Sequence, residues 1–297
     1  MTTIGLPVAL GIIMLGLGLS LTLADFARVL KQPKAVIIAL ACQLILLPAI
    51  CFGLVLLFQL PPVLAVGMMM LAASPGGTTA NLYSHLFRGD IALNISLTAV
   101  NSVIAVITLP IITNLAIAYF RPFDDRLGLQ WAKALEVFAI VLLPVAVGML
   151  IRRFKPRFAD AMDKPVRIAS VVILIVVIAG AVASNWALLV DNFARLALIT
   201  LLFCLISLAV GFFMPRLLKV GKRQAIASSF EIGIHNATLA IVIAQSVLGS
   251  VELSLPAAVY GVLMFFVAFG FGFLIRDRSA STPTAVETAP ADRPAVG

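Results

Sequence analysis

The residues of this chain that could do chemistry are few, and they sit in unexpected company. Glu231 lies about seven residues into an apolar run, in the stretch SSFEIGIHNATLA. A carboxylate placed in hydrocarbon is costly and is usually tied to function. Alone at depth, it points to a cation site or a proton relay, with a structural hydrogen bond to a neighbouring helix as the alternative. His235 follows at i+4, on the same helical face, and Asn236 and Thr238 come next. A second polar island is SPGGTTAN, residues 74–81. Pro75 removes a backbone donor and Gly76 and Gly77 weaken a helix. A helix broken there frees amides and carbonyls that are tolerable only where they line a cavity or bind something. A third is the stripe Asn94, Thr98 and Asn101 at i, i+4 and i+7, one polar line on an otherwise apolar helix. Gln43 adds a single amide in a further apolar run.

Together Gln43, Asn81, Asn94, Thr98 and Glu231 form an oxygen-rich set. Hard cations take oxygen ligands, and one carboxylate among neutral oxygens suits a monovalent ion, sodium above all. With His85 and His235 the only histidines, no HxxxH or HExxH spacing exists, so a transition-metal site is not indicated. No Gly-Lys-Ser/Thr follows the glycine pair, so ATP is not expected. One deep carboxylate and one histidine fall short of a catalytic pair, so the chain is not expected to be an enzyme. Packing glue between helices is the alternative for Gln43 and for the Asn94 stripe.

These side chains need elements to carry them across a bilayer. Of the 297 residues, 62% are hydrophobic and only 11% charged, less than half the roughly 25% usual in soluble domains. A soluble enzyme is excluded, and the +8 net charge does not imply nucleic acid, because the cations sit in short loops. A membrane-crossing helix needs about 20 apolar residues. Charges, prolines and loops divide residues 1–275 into nine apolar segments: 4–24, 35–60, 62–85, 91–119, 131–151, 166–187, 192–215, 224–249 and 253–275. The expected class is an all-α polytopic membrane protein. Met1–Leu23 lacks a positively charged start and is read as a retained helix. With the N-terminus outside, 17 of the 21 Lys and Arg residues fall on the inner side, so the expected orientation is N-out, C-in, in a cell (inner) membrane. Residues 276–297, rich in Ala, Pro, Thr and charge, are expected to be a disordered cytoplasmic tail. Cys42, Cys51 and Cys204 have no CxxC spacing and read as small buried hydrophobes.

The broken segment three and the Glu231 segment eight are five helices apart, and an odd separation inverts them. An inverted repeat of segments 1–4 and 6–9, linked by segment five, fits this order. At SPGGTTANLYSHLFRGDIALNISLTAVNSV (74–103), EIGIHNATLA (231–240) and Gln43 in CQLILLP, the chain resembles the bile acid:sodium symporter family of the nine-span kind. The resemblance implies two crossing discontinuous helices, a core domain (about 35–119 and 192–275) and a panel domain (about 4–24 and 131–187). It also implies symport of a small organic anion with sodium by alternating access. One sodium would bind Asn81, Asn94, Thr98 and Glu231. A second would bind Gln43, Glu231, His235 and the carbonyls of Ile232 and Ile234. The organic anion would bind near Thr78 and Asn236, where helix N-termini favour negative charge. The chain departs from the family pattern at Ala80 and Asn94, where the family has serines, and at His235, where glutamine is common. Imidazole is a poorer sodium ligand than an amide oxygen, so one or two ions are implied. The alternative keeps the fold and couples to protons through Glu231 or His235. No organic cofactor is expected.

Overall fold

A computed structural model describes residues 2–77, 79–121, 131–184 and 186–277 of the chain. Among them the chain is built from helices, in the order of the apolar segments. Helix α1 (Thr2–Ser20) is followed after a bend by α2 (Leu23–Arg28), whose N-cap Thr22 and Asp25 hold each other in a capping box. Helix α3 (Pro33–Ala41) passes through a π-helical turn, Cys42–Leu46, into α4 (Leu47–Leu57). Pro48 explains the wide turn. Its ring leaves no N–H for the preceding turn, and the Leu47 amide bonds five residues back to the Cys42 carbonyl. Helix α5 (Pro62–Ala73) starts on a proline, and α6 (Thr79–Leu86) resumes beyond a break. Helix α7 (Ile91–Phe120) is continuous, with Asp90 capping it by accepting from the Leu93 amide at 3.0 Å.

Helices α8 (Trp131–Phe154), α9 (Pro156–Ser184) and α10 (Trp186–Leu217) come next. Helix α11 (Lys222–Gly233) then breaks before α12 (Ala237–Val242), which runs into a second π-helical turn, Ile243–Val247, and α13 (Leu255–Ile275) closes the described chain. Among the described residues, four helical stretches are long and apolar enough to cross a membrane: Pro33–Leu57, Ile91–Phe120, Trp186–Leu217 and Glu252–Ile275. The pair Leu10–Ser20 and Leu23–Lys31, bent by 65°, gives a fifth. With the apolar composition, this makes the chain a multi-pass, all-α membrane protein.

Two differences from the sequence reading have a plain cause. Helix α9 begins at Pro156, ten residues before the expected segment start, and α10 begins at Trp186 rather than residue 192. Hydropathy marks the part of a helix that fits hydrocarbon, whereas the hydrogen-bond ladder continues past it. Residues 278–297, the greater part of the expected tail, lie outside the described residues.

Helices α1, α8 and α9 pack on one another. A Cβ at Gly18 would overlap the Val145 backbone, and one at Gly148 would meet the backbone of Leu15–Leu19, so glycine is what lets α1 and α8 touch backbone to backbone. The remaining helices enclose the polar residues: α5 lies against α4, α7 and α13, and α11 lies against α6, α7 and α10. At one end, Gln224 donates to Gln32 (2.8 Å), Gln32 donates to Asp90 (3.2 Å), and the Asp90 amide bonds the Arg223 carbonyl (2.9 Å). This ties the starts of α3, α7 and α11 together. Cys42, Cys51 and Cys204 are buried free thiols.

Candidate functional site

The two breaks meet. Between α5 and α6 the chain turns extended at Ser74 (φ −71°, ψ 146°), and between α11 and α12 it leaves the helical region at Ile234 (φ −110°, ψ 85°). Gly76 and His235 pair as a single antiparallel bridge. The Gly77 amide donates to the Ile234 carbonyl at 2.8 Å, and the Asn236 amide donates to the Pro75 carbonyl at 2.8 Å. Each break thus supplies the partners the other lacks, which is what makes unwound backbone tolerable in a bilayer. The proline and glycines of the first break mark it in the sequence. The second has no proline, and its opening follows from this pairing.

Glu231 is carried to the crossing by the last turns of α11 and is 2% exposed. Its Oε2 accepts from the Thr98 hydroxyl at 2.5 Å. Its Oε1 is buried without a hydrogen-bond partner among the described residues. Gly76 lies directly against the carboxylate, since any Cβ at that position would overlap it. Thr98 and Asn94 share a face of α7, as their i, i+4 spacing requires, and both are fully buried. The Asn94 amide nitrogen donates to the carbonyls of Ala80 (3.3 Å) and Ala227 (3.1 Å) and to the Ser84 hydroxyl. With its donors spent on α6 and α11, Asn94 presents Oδ1 toward Thr98, 3.4 Å away. Asn81 on α6 and Asn101 on α7 each carry a buried side-chain oxygen with no donor.

Gln43 reaches the crossing from the π-helical turn. Its Nε2 donates to the Ser74 carbonyl at 2.9 Å. His235 Nδ1 lies 3.2 Å from the same carbonyl, and a carbonyl only accepts, so the proton sits on Nδ1. Both side chains therefore donate to one carbonyl. Gln43 Oε1 and His235 Nε2 are left buried without partners. The imidazole stacks on Phe203 (5.5 Å between centroids, 13° between planes) and meets the edge of Tyr260 (5.4 Å). One expectation fails here. Because α11 ends at Gly233, His235 does not stand one helical turn above Glu231, and the i+4 spacing does not relate them.

Sequence reasoning missed several residues. Ser84 helps hold Asn94, and the Ser74 carbonyl orients Gln43 and His235. Tyr260 on α13 donates to the Gly233 carbonyl at 2.8 Å, closing off the end of α11. A serine three residues beyond Asn81 gave some signal for Ser84, whereas a tyrosine inside an apolar segment gave none. Replacing Tyr260 with Phe leaves that buried carbonyl with only the weak thiol of Cys204, 3.8 Å away. The expected loss is about 1 kcal/mol of stability, read as a lower thermal midpoint in detergent. An unchanged midpoint refutes this role.

Beside the crossing lies a cavity of about 430 Å³ between α1 (Met14, Leu17, Ser20), the two breaks (Gly76, Gly77, Asn236), Asn81 and His85 of α6, and Phe265 of α13. Most of its wall is apolar. Asn236 caps α12 by accepting from the Leu239 amide at 3.0 Å. Thr78 lies outside the described residues. Among these residues, no group of three or more His, Cys, Asp or Glu side chains could hold a metal ion.

Residues 7–192 match the family described as Sodium Bile acid symporter family. Among similar proteins is the probable sodium/metabolite cotransporter BASS2, chloroplastic, of Oryza sativa subsp. japonica, 26% identical over 86% of this chain and 60% of its own length. Another is the probable sodium/metabolite cotransporter BASS1, chloroplastic, of Arabidopsis thaliana, 30% identical over 86% of this chain and 62% of its own. A third is the uncharacterized sodium-dependent transporter YocS of Bacillus subtilis (strain 168), 25% identical over 86% of this chain and 78% of its own. The chain thus spans about three fifths of the length of the two plant relatives.

Proposed function

The chain belongs to the sodium bile acid symporter family, and on that premise we propose that it is a sodium-coupled symporter of a small organic anion, working by alternating access. One observation carries the reading: a buried carboxylate oxygen, Glu231 Oε1, stands without a donor in a core that also holds unpaired oxygens of Gln43, Asn81 and Asn101. Buried acceptors without donors are costly, and desolvated cations at the crossing would satisfy those of Glu231, Asn81 and Gln43. The first sodium is assigned to Asn81, Asn94, Thr98 and Glu231. The second is assigned to Gln43, Glu231, His235 and the carbonyls of Ile232 and Ile234. The Ile234 carbonyl already accepts from Gly77, and its second lone pair serves the ion. His235, with its proton on Nδ1, offers Nε2 as a neutral ligand. The anion is assigned to the cavity at Asn236, with Thr78 beside it by position in the chain.

The family names the coupling ion, and relatives carry sodium in their printed names. The mutual packing of α1, α8 and α9 supports a panel, and the two paired breaks support an inverted repeat within a core. Sodium at Glu231 would neutralise the charge and hold the crossing in its substrate-binding arrangement. It shifts that equilibrium only by its differential affinity for the two states. The orientation is N-out, C-in.

The test is a thermal-shift series on purified protein in sodium or potassium chloride at equal ionic strength, with and without a panel of carboxylates. Sodium should raise the midpoint where potassium does not. A bound carboxylate should raise it further only with sodium, since a ligand at 100 times its Kd adds about 2.7 kcal/mol. Equal midpoints in both salts, with pH-dependent uptake in sodium-free buffer, would instead favour proton coupling through Glu231 or His235, whose unpaired Nε2 is the observation behind that second reading.

A further inference from the structure

The turn joining α8 to α9 carries a basic and aromatic surface that the transport reading does not use. In sequence it reads RRFKPRFADAMDK, residues 152–164. Its inner side is well packed: Ala159 and Val166 are buried against Leu19 of α1, with Leu15, Ile151 and Met162 around them. The spacing 159, 162 and 166 puts an apolar stripe of α9 onto α1 and α8. The outer side is therefore held rigidly. It displays Arg153, Lys155, Arg157 and Lys164, all exposed.

These four cations have no ion pair or hydrogen bond among the described residues. Arg152 alone is engaged, by Asp160. Some cations at other turns are bound by the protein: Arg28 by Asp25 (3.1 Å), Arg216 by the Val220 carbonyl (2.8 Å) and Lys222 by the Arg276 carbonyl (3.1 Å). Two large aromatic side chains stand among the free ones, Phe154 at 73% exposure and Phe158 at 51%. They are one helical turn's length apart in sequence, and the Arg153 guanidinium lies 5.8 Å from the Phe154 ring. Exposed phenylalanines beside unpaired cations, at the junction of two long helices of a membrane protein, match the two layers of a lipid surface. Rings take the acyl boundary and cations take the phosphates.

We propose that the α8–α9 turn is a binding surface for anionic phospholipid, with the phosphodiester headgroup held by Arg153, Lys155, Arg157 and Lys164 and the acyl chains against Phe154 and Phe158. Because the turn is packed on α1, the bound lipid fastens the α1, α8 and α9 group at the membrane interface. Free phosphate lacks the acyl chains and is not the occupant.

The experiment uses the full chain, purified in mild detergent and offered phosphatidylglycerol or phosphatidylcholine, with lipid retention read by native mass spectrometry. Wild type should retain phosphatidylglycerol in preference. Changing all four cations to Gln should weaken that retention by about tenfold or more, since each cation near an anionic surface adds to the attraction. Phe154→Ser with Phe158→Ser should also weaken it while leaving the charge intact. A control of equal charge change, Lys31, Lys34, Lys219 and Arg223 to Gln, should leave it unaltered. No preference in wild type, retention unaffected by the four substitutions, or equal loss in the control would each overturn the proposal. Competition by inorganic phosphate as effective as by the lipid would overturn the lipid as occupant.

Discussion

Glu231→Gln should abolish sodium-stimulated uptake and remove the sodium-dependent rise in thermal midpoint. The amide keeps the volume of the carboxylate and can still accept from Thr98, so the packing of the crossing survives. What it loses is the only full negative charge in the set. Taking one partner from a buried charge pair costs about 3–5 kcal/mol, which for sodium is a fall in affinity of more than about a hundredfold. The midpoint in sodium-free buffer carries the second half of this expectation. There the substitution removes an uncompensated buried charge, so the protein should be at least as stable as wild type. Loss of uptake with a lowered sodium-free midpoint would report damage to the fold instead. Full sodium-stimulated uptake by the variant would falsify the assignment of Glu231 to the ion.

Gly76→Ala should be nearly as severe, although it adds only one uncharged methyl group. The new Cβ would occupy the space of the Glu231 carboxylate. The backbone cannot retreat, because hydrogen bonds from Gly77 to Ile234 and from Asn236 to Pro75 hold both sides of the bridge. The carboxylate must turn away from Thr98, or the bridge must open. Overpacking of this kind costs about 1–3 kcal/mol, and it falls on the proposed ligand of the ion rather than on a spectator. Uptake should drop at least about tenfold, with the sodium-induced rise in midpoint reduced in step. Gly53→Ala is the matched control, for nothing lies within 4 Å of its added Cβ, and it should transport normally. Wild-type uptake by Gly76→Ala would show that the carboxylate does not need its present position.

The site was legible in the sequence where chemistry and periodicity acted within one continuous element. Glu231 stood out because almost every other charge lies in a loop or towards the end of an apolar segment. Asn94 and Thr98 were related correctly because α7 runs unbroken beneath them. Pro75 and the two glycines announced the first break. Legibility ended where long-range contacts decide local structure. Nothing in EIGIHN forbids a helix through Ile234, so the relation drawn between Glu231 and His235 assumed one. The Ser74 carbonyl, which orients two side chains from different elements, belongs to the backbone and has no letter. Tyr260 acts across the molecule on Gly233, with no spacing to reveal it. The early start of α9 was hidden for another reason, since its first turns are too charged for a hydropathy window.

The bridge between Gly76 and His235 also has a consequence for how the protein is made. The two strands of that bridge lie about 160 residues apart in the chain. At a synthesis rate of roughly 5–20 residues per second, the first break is inserted about ten to thirty seconds before its partner exists. During that interval the groups around Pro75 and Gly77 have no mate, and hydrocarbon offers them none. The nascent first half must keep this stretch near water or against the insertion machinery until α11 arrives. The contact that completes the proposed ion site is thus also a late checkpoint in biogenesis, and a chain that stops short of Ile234 is left with an exposed seam for quality control to recognise.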